Sequence, residues 1–280
     1  MNQEKSFLEI VTDYLHSGES YLPVFNQTAL LVQQEITSAD PNHDTIIEII
    51  SGDQTLTGEV LRKANSAFFK GLHHVNTIRE ATIRIGMEEV VKLVLLVTQK
   101  RQFRSEDKYI NTLMELLWRH SQQVAIGSKW IADQCNFIQL SNEVFFAGLL
   151  HDIGKLLILT VISKIRTEGK IDFQPTEALI SEVMTGQHAE QGYSLLKSWN
   201  IPEIYCIAAR DHHLETFEAG NFVMPIVRLA NIVCNKVGFG LHIDPSIDLA
   251  ATPEATLLGM SEIDLARLEI ELEDALHIYT

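Results

Sequence analysis

Apolar residues recur at three- and four-residue spacing along most of the chain, and short breaks rich in polar residues, proline or glycine separate the periodic segments. This spacing places apolar side chains on one face of an α-helix, so the pattern predicts an all-α fold. The apolar run at 90–97 could by itself form a strand, but the periodic segment around it is too long for one. The predicted helices cover residues 3–16, 24–37, 43–51, 55–66, 77–86, 87–103, 110–135, 142–164, 176–199, 202–213, 222–236 and 261–279.

Sequence signals also mark boundaries between these segments. Thr77 and Glu80 have the spacing of a capping box, and Ser261 starts the last helix with a similar Ser-x-x-Asp cap. Residues 238–252 lack helical periodicity and are predicted to form a connecting loop. The polar stretch at 104–109 is the expected boundary between two halves of the chain.

We therefore predict a helical subdomain at 1–105 and a second helical subdomain at 106–280 that includes the C-terminal helix. Apolar periodicity is dense up to the boundary, so the first subdomain is expected to pack on the second. An independent DNA-binding unit is not expected there, because the chain as a whole is acidic.

Composition narrows the choice of partners. The chain has 280 residues, 46% of them hydrophobic and 21% charged, which is typical of a soluble globular protein. Its net charge of −15 argues against binding of nucleic acids. The apolar segments at 90–97 and 144–162 fall short of the roughly 18 uninterrupted apolar residues of a membrane span, and the N-terminus lacks a signal-peptide pattern. The three cysteines form no CxxC pair. We expect a cytoplasmic protein that binds neither membranes nor nucleic acids.

Candidate chemistry begins with polar residues on the apolar faces of predicted helices. His120 shares a face with Leu117 and Val124 and should point inward. A single inward histidine is more often bonded to a carbonyl than to a metal. The adjacent His151 and Asp152 strengthen the case, because neighbours on a helix cannot both point at the centre of one face. A metal that accepts both side chains would resolve that conflict.

Further polar groups follow on the same helix and on later ones. Lys155 lies one turn beyond the His-Asp pair and could reach a phosphate. His188 begins an inward stripe, and Asn231 is an inward polar group on a later helix. The pair His212-His213 closes a helix, where a favourable interaction with the helix dipole is the alternative explanation.

The cost of burying polar groups favours a common site for these residues. A buried polar group without a partner costs about 1–3 kcal/mol. Six or seven such groups scattered through one core would threaten a total stability of roughly 5–15 kcal/mol. Gathering them around a metal or a water-filled pocket costs less free energy, and imidazoles and carboxylates are ligands that zinc, iron and manganese accept.

The order of these residues resembles the signature of the HD superfamily of metal-dependent phosphohydrolases, in its HD-GYP-like version. The rest of the chain resembles the HDOD domain, a related signalling module, over roughly residues 20–240. The resemblance implies an HD-domain-like helical bundle and a role in bacterial signal transduction. The segments that carry it are YLPVFNQTALLVQQ, SGDQTLTGEVLRKANSAFF, TIREATIRIGMEEVVKLVL, FFAGLLHDIGKLLIL, GQHAEQGYSLLKSWNIP and DHHLE.

The resemblance also assigns roles. Lys155 becomes the phosphate-facing lysine and, with Asp152, a candidate catalytic residue. The last ligand of the superfamily, an aspartate, corresponds to Asn231. The GYP segment of cyclic-dinucleotide phosphodiesterases is absent, with LETFEAGNF in its place, and Leu116 replaces an extra carboxylate that some of those enzymes use. The implied metal ligands are His120, His151, Asp152, His188, His212, His213 and Asn231.

Three functions remain open on this basis. The first choice is a signalling module that retains an HD-type metal site. The second is a metal-dependent phosphohydrolase or phosphodiesterase acting on a nucleotide or cyclic nucleotide, and the third is diiron oxygen chemistry. We expect one or two divalent transition-metal ions, iron or zinc first and manganese or magnesium as alternatives. A phosphorylated small molecule and a separate signalling protein are the expected partners.

Overall fold

The computed structural model describes residues 5–17, 26–69, 71, 73–214, 216 and 220–279. These residues contain no β-strand, and the all-α prediction is confirmed. The first five residues of the YLPVFNQTALLVQQ segment, 21–25, and part of LETFEAGNF lie outside the described residues. The α-helices are α1 Phe7–His16, α2 Gln27–Ile36, α3 His43–Ser51, α4 Gln54–Ala64, α5 Ile78–Ile85, α6 Met87–Lys100, α7 Lys108–Gln134, α8 Ser141–Leu150, α9 Ile153–Thr167, α10 Glu177–Ser198, α11 Glu203–Asp211, α12 Val223–Val237, α13 Pro253–Leu258 and α14 Glu262–Tyr279.

Two differences from the predicted elements have clear physical reasons. The single helix predicted at 142–164 is wrong, because the chain leaves the helix at the His-Asp pair and begins again as α9. Helix α13 was not predicted, because its six residues are too few to show a period. Its ends are nevertheless marked: the Thr252 side chain accepts a hydrogen bond from the Ala255 N–H, and Gly259 ends the helix with φ of 66°.

The predicted caps and loop have direct counterparts in the structure. Thr77 Oγ1 accepts a hydrogen bond from the Glu80 N–H at 3.1 Å, and Ser261 Oγ accepts one from the Asp264 N–H at 3.2 Å. The stretch at 238–252 is a loop, apart from a short 3-10 turn at Leu249–Ala251.

Helices α2 to α6 pack on one another, while α1 packs elsewhere. Helix α1 lies against α9, with Phe7 edge-on to Phe173 at 6.0 Å between ring centroids. Thr12 Oγ1 also accepts a hydrogen bond from Gln187 Nε2 at 2.7 Å. The first helix therefore packs on the half of the chain that contains the candidate histidines. The division of the chain at residue 105 stays a prediction.

The long helix α7 lies at the centre of the second half and contacts α8, α9, α12 and α14. Helix α10 packs between α9 and α11. One close approach positions α8 on α7, because a Cβ on Gly148 would lie 3.0 Å from the backbone of Ala125. These contacts bring the ends of α8, α9 and α11 to the middle of α7 and α10, where the candidate residues lie.

One stretch, Ile138–Thr167, is long and apolar enough to cross a membrane by length and composition alone. However, 89% of its most apolar window is buried inside the protein. Burial of this kind is what a core helix of a globular protein shows, so the stretch gives little support for a membrane span.

Candidate metal centre

Asp152 lies at the break between α8 and α9 and is 1% exposed. His151 follows the last residue of α8, and Asp152 precedes the first residue of α9, with φ of −103° and ψ of 16°. Because the helix is interrupted between them, both adjacent side chains turn inward. The break thus resolves the conflict that the sequence pattern posed for this pair.

Both carboxylate oxygens of Asp152 face imidazole nitrogens. Oδ2 lies 3.3 Å from His120 Nε2 and 3.3 Å from His151 Nε2. Oδ1 lies 3.4 Å from His212 Nε2 and 3.6 Å from His188 Nε2. One buried carboxylate therefore has a pair of imidazoles at each oxygen.

The orientation of these four imidazoles is set by the backbone. In each ring Nδ1 lies 2.6–2.9 Å from a carbonyl oxygen. A carbonyl can only accept a hydrogen bond, so each Nδ1 donates to its carbonyl and each Nε2 faces Asp152, where the neutral ring has its lone pair. The four pairs are His120 with Phe239, His151 with Gly148, His188 with Met184 and His212 with Ala209.

The loop after α12 supplies a part of the site that sequence reasoning missed. Phe239 O fixes the ring of His120 at 2.7 Å. Gly240 has φ of 147°, and a Cβ there would lie 2.8 Å from His120 Nδ1. In the sequence, Gly240 indicates only a loop. Its contact with His120 could not be predicted, because the two residues are 120 positions apart in the chain.

Two glycines set the distance between α9 and α10. A Cβ on Gly154 would overlap the backbone oxygen of His188 and lie 2.7 Å from the nitrogen of Gly192. A Cβ on Gly192 would in turn lie 3.2 Å from the nitrogen of Gly154. The backbones of the two helices touch at this point, which brings His188 within reach of Asp152.

The buried polar atoms at this point are not all satisfied by the protein. His151 Nε2 and Asp152 Oδ1 are buried and have no hydrogen-bond partner among the described residues. Buried polar atoms without partners are rare in native proteins, and a bound ion would satisfy both of these atoms. Two groups of three ligand atoms lie close enough to hold an ion: His120, His151 and Asp152, and His188, His212 and His213. The residues present therefore fit a metal.

A cavity of about 240 Å³ opens onto this cluster. His213 reaches it from beyond the end of α11, with Nε2 3.0 Å from His188 Nε2. Lys155 also lines the cavity, and its Nζ lies 2.7 Å from Asp152 Oδ2. Asn231, which is 9% exposed, lines the same cavity from α12. All the residues singled out in the sequence thus lie in or directly beneath one cavity.

The pKa shifts favour the ligand forms of these groups. Burial alone would raise the pKa of Asp152, but His151, the Lys155 ammonium and His120 together hold it well below its usual value. Burial lowers the pKa of His188 to about 4, although Asp152 opposes the shift. The pKa of His212 is lowered for the same reason. Neutral imidazoles and an ionised carboxylate are the forms that bind a metal.

His213 is the most open member of the cluster. It is exposed overall, while part of its ring is buried against His212 at 4.0 Å between centroids. This burial and the neighbouring imidazoles lower the pKa of His213 as well. Its position at the cavity leaves it accessible to a ligand that enters there.

An all-helical bundle with histidines and an aspartate gathered at one buried point is what the resemblance to the HDOD domain implies. Residues 22–215 match the model of the HDOD domain, and the chain belongs to that family. A curated relative is an uncharacterised protein from Treponema pallidum (strain Nichols), 26% identical over 199 residues. The match covers 69% of this chain and 37% of the relative, so the chain spans little more than a third of that protein.

Solved structures share the fold. An HDOD domain protein of unknown function from Geobacter sulfurreducens has a TM-score of 0.74 and 24% identity, covering 97% of this chain and 95% of its own. A protein from Shewanella amazonensis SB2B, provisionally named a metal-dependent phosphohydrolase, has a TM-score of 0.71 and 19% identity over 98% of both chains. A protein from Marinobacter aquaeolei VT8, provisionally named a signal transduction protein, has a TM-score of 0.65 and 16% identity, covering 98% of this chain and 66% of its own. At these identities the likeness concerns the fold alone.

Proposed function

We propose that this chain is a signal-transduction module of the HDOD family that retains an HD-type metal site. The observation that carries the proposal is the pair of imidazole nitrogens at each oxygen of the buried Asp152 carboxylate. A structural core gains nothing from four lone pairs aimed at a carboxylate, whereas a cation between them would be stabilised by all of these groups.

The residues divide into two ligand sets that share Asp152. His120 and His151 would hold one ion with Oδ2, and His188 and His212 would hold a second with Oδ1, helped by His213. Histidine nitrogen with one carboxylate suits iron or zinc, with manganese or magnesium as weaker alternatives. The hydrogen bonds from each Nδ1 to a backbone carbonyl keep the ligands oriented.

A metal-dependent phosphohydrolase is the second candidate, and the cavity beside the cluster is the observation that favours it. An ion in such a site activates water and polarises a phosphoryl group. Lys155 lines the cavity with its ammonium group and would offset negative charge on a phosphate. A nucleotide or cyclic nucleotide is the proposed substrate class. Asn231 argues for weak activity, because a neutral amide stands where the superfamily has a carboxylate.

Elemental analysis of protein purified without a chelating tag tests the metal site. We expect one or two equivalents of iron or zinc per chain, and uptake on titration after chelation. Asp152→Asn should lose most of the metal, because both ligand sets share this side chain. Asp172→Asn changes an exposed aspartate outside the histidine cluster. This variant is the matched control and should keep the wild-type metal content.

Metal below stoichiometry in the wild type, with no uptake on titration, would overturn the metal-binding proposal. A steady turnover of cyclic dinucleotides or model phosphodiesters by metal-loaded protein, lost in Asp152→Asn, would favour the enzyme over the signalling module. Tight metal binding without any turnover would favour the module, whose input or output then depends on a separate signalling protein.

A further inference from the structure

A second polar cavity lies in the N-terminal half, away from the histidine cluster. It has a volume of about 400 Å³ and is bounded by α4, α6, the residues after α6, and α7. Ligand pockets for small molecules commonly have about 300–1,000 Å³. Five basic side chains line this cavity, which is called the cationic cavity below: Arg62, Lys63, Lys100, Arg101 and Arg104.

The charge of the cationic cavity is opposite to that of the chain. The protein has 22 lysines and arginines and a net charge of −15, yet five of these cations share one cavity. Among the described residues that line it, Glu59 is the single acidic group. Glu59 contacts Arg101 at 3.1 Å and Arg62 at 3.9 Å, so one carboxylate is set against five cations.

This concentration of like charge carries a cost in the absence of an anion. Lys63 is half-buried, and its pKa is lowered first by burial and then by Lys100 and Arg62. An anion in the cavity would relieve the repulsion among these three side chains. Such an arrangement is typical of a site in which the positive charge serves a ligand.

The floor of the cationic cavity is apolar. It is formed by Leu93, Leu96 and Val97 on α6, together with Trp118 on α7. A ring of cations above an apolar floor fits a ligand with an anionic part and an apolar or planar part. A bare inorganic anion would leave the floor unused.

We propose that the cationic cavity binds a small phosphorylated organic molecule of the nucleotide type. Its phosphates would lie among the arginines and lysines, and its planar part would lie against the leucines and Trp118. Arginine and lysine are the usual phosphate ligands of proteins. Nucleic acid is disfavoured, because it needs an extended basic surface and this chain is strongly acidic outside the cavity. The cationic cavity shares no residue with the histidine cluster. Binding in this cavity is therefore expected whether or not the cluster binds metal.

Calorimetry and tryptophan fluorescence on the full chain test this proposal with two probes, ATP and inorganic triphosphate, in the presence of a chelator. We expect saturable ATP binding that weakens with added salt, and weaker binding of triphosphate, which cannot use the apolar floor. Lys100→Glu should lower ATP affinity about tenfold, since it replaces an attraction by a repulsion at an exposed position. Lys170→Glu, the same change at an exposed lysine outside the cavity, should leave the affinity within about twofold.

Several outcomes would overturn the proposal. Absence of ATP binding, or an equal loss in both lysine variants, would show that the cavity is not a nucleotide site. Equal affinity for ATP and triphosphate would show that the apolar floor does not contribute to binding, and the ligand would then not be a nucleotide. Loss of ATP binding in Asp152→Asn would assign the ligand to the histidine cluster. Binding of an acidic peptide together with failure of ATP to bind would replace the small molecule by a protein partner.

Discussion

The histidine cluster and the cationic cavity concentrate polar groups in opposite ways. Burial lowers the pKa of His188 and His212, and all the histidines of the cluster but His213 are buried and held at Nδ1 by backbone carbonyls. The cations of the cavity are charged, half-buried or exposed, and carried on long flexible side chains. The difference reflects two kinds of recognition: a coordinated ion needs lone pairs at defined points, whereas a phosphate is attracted over several ångströms by any nearby positive charge.

We therefore expect the histidine cluster to depend on packing and the cationic cavity to depend on charge. Changes that move a backbone should therefore damage the cluster strongly. Changes of charge should alter the ligand affinity of the cavity by small amounts, and added salt should reduce these changes.

The largest effect is expected for Gly154→Ala, which inserts a methyl group where α9 touches α10. The new Cβ would overlap the His188 carbonyl, so one helix must move. We expect a loss of about 3–5 kcal/mol in the free energy of unfolding, measured by urea denaturation, together with weaker metal uptake.

Gly186→Ala is the matched control for this prediction. It lies in the same helix as His188, and a Cβ there meets no atom within 4 Å. Here alanine should stabilise the protein by about 1 kcal/mol, because glycine is a poor helix former. If both variants have the same stability, the close contact between the helices does not position His188.

The next effect concerns the pH dependence of stability in metal-free protein. The pKa of His188 is about 4 in the folded state and about 6.5 in an unfolded chain. Above pH 6.5 the residue is neutral in both states, and its full contribution is present. As the pH falls from 6.5 to 4 the unfolded chain gains a proton that the folded chain does not bind. Stability should therefore fall by about 3 kcal/mol over this window.

Thermal or urea unfolding of His188→Gln in a chelator measures this contribution. The variant should show a much smaller loss of stability between pH 6.5 and 4 than the wild type. His16→Gln, an exposed histidine outside the cluster, should keep the wild-type dependence. An unchanged slope in His188→Gln would mean that the folded protein protonates this imidazole over the same pH range as the unfolded chain does.

A smaller effect is expected for Asn231→Asp, which would introduce the carboxylate that the resemblance to the HD superfamily implies at this position. Two cations close together repel each other and need anionic ligands to stay bound. The variant should bind the weaker of two metal ions about tenfold more tightly and hydrolyse phosphodiesters faster. Titration of metal-free protein followed by calorimetry measures the change.

Asn235→Asp adds the same charge one turn further along α12 and lines the same cavity, so it controls for a general field effect. Its influence on metal affinity should be clearly smaller. Brisk hydrolysis by the wild type with no change in Asn231→Asp would place Asn231 outside the ligand set.

The smallest effect is expected for Glu59→Gln in the cationic cavity. Removing the one lining carboxylate frees Arg101 and Arg62 from their ion pairs and makes the cavity more positive. ATP affinity should rise about threefold, and the gain should disappear at high salt. A decrease in affinity would mean that Glu59 holds the arginines in their binding positions.

Particular elements show how far sequence reasoning extends here. The helices from 43–51 to 222–236 appear within a few residues of their predicted bounds, apart from the one that breaks at Asp152, because amphipathic periodicity and caps are local properties. That break did not show in the pattern, since the residues on both sides of it are apolar and helix-compatible. Helix α1 has a clear periodic face, but its partner α9 could not be read from that face.

The candidate site likewise has features that the sequence predicts and features that only the tertiary structure shows. Order and residue type were enough to single out the histidines, Asp152 and Lys155, because polar groups on apolar faces are visible in the sequence itself. The role of Phe239 and Gly240 at His120 was not visible, and neither was the gathering of five cations from α4, α6 and the residues that follow it. Sequence alone determined where most of the helices form and which of their residues need polar partners, since both depend on neighbours a turn away. Only the tertiary structure decided which groups meet, because that depends on close backbone contacts such as Gly154 with His188 between residues far apart in the chain.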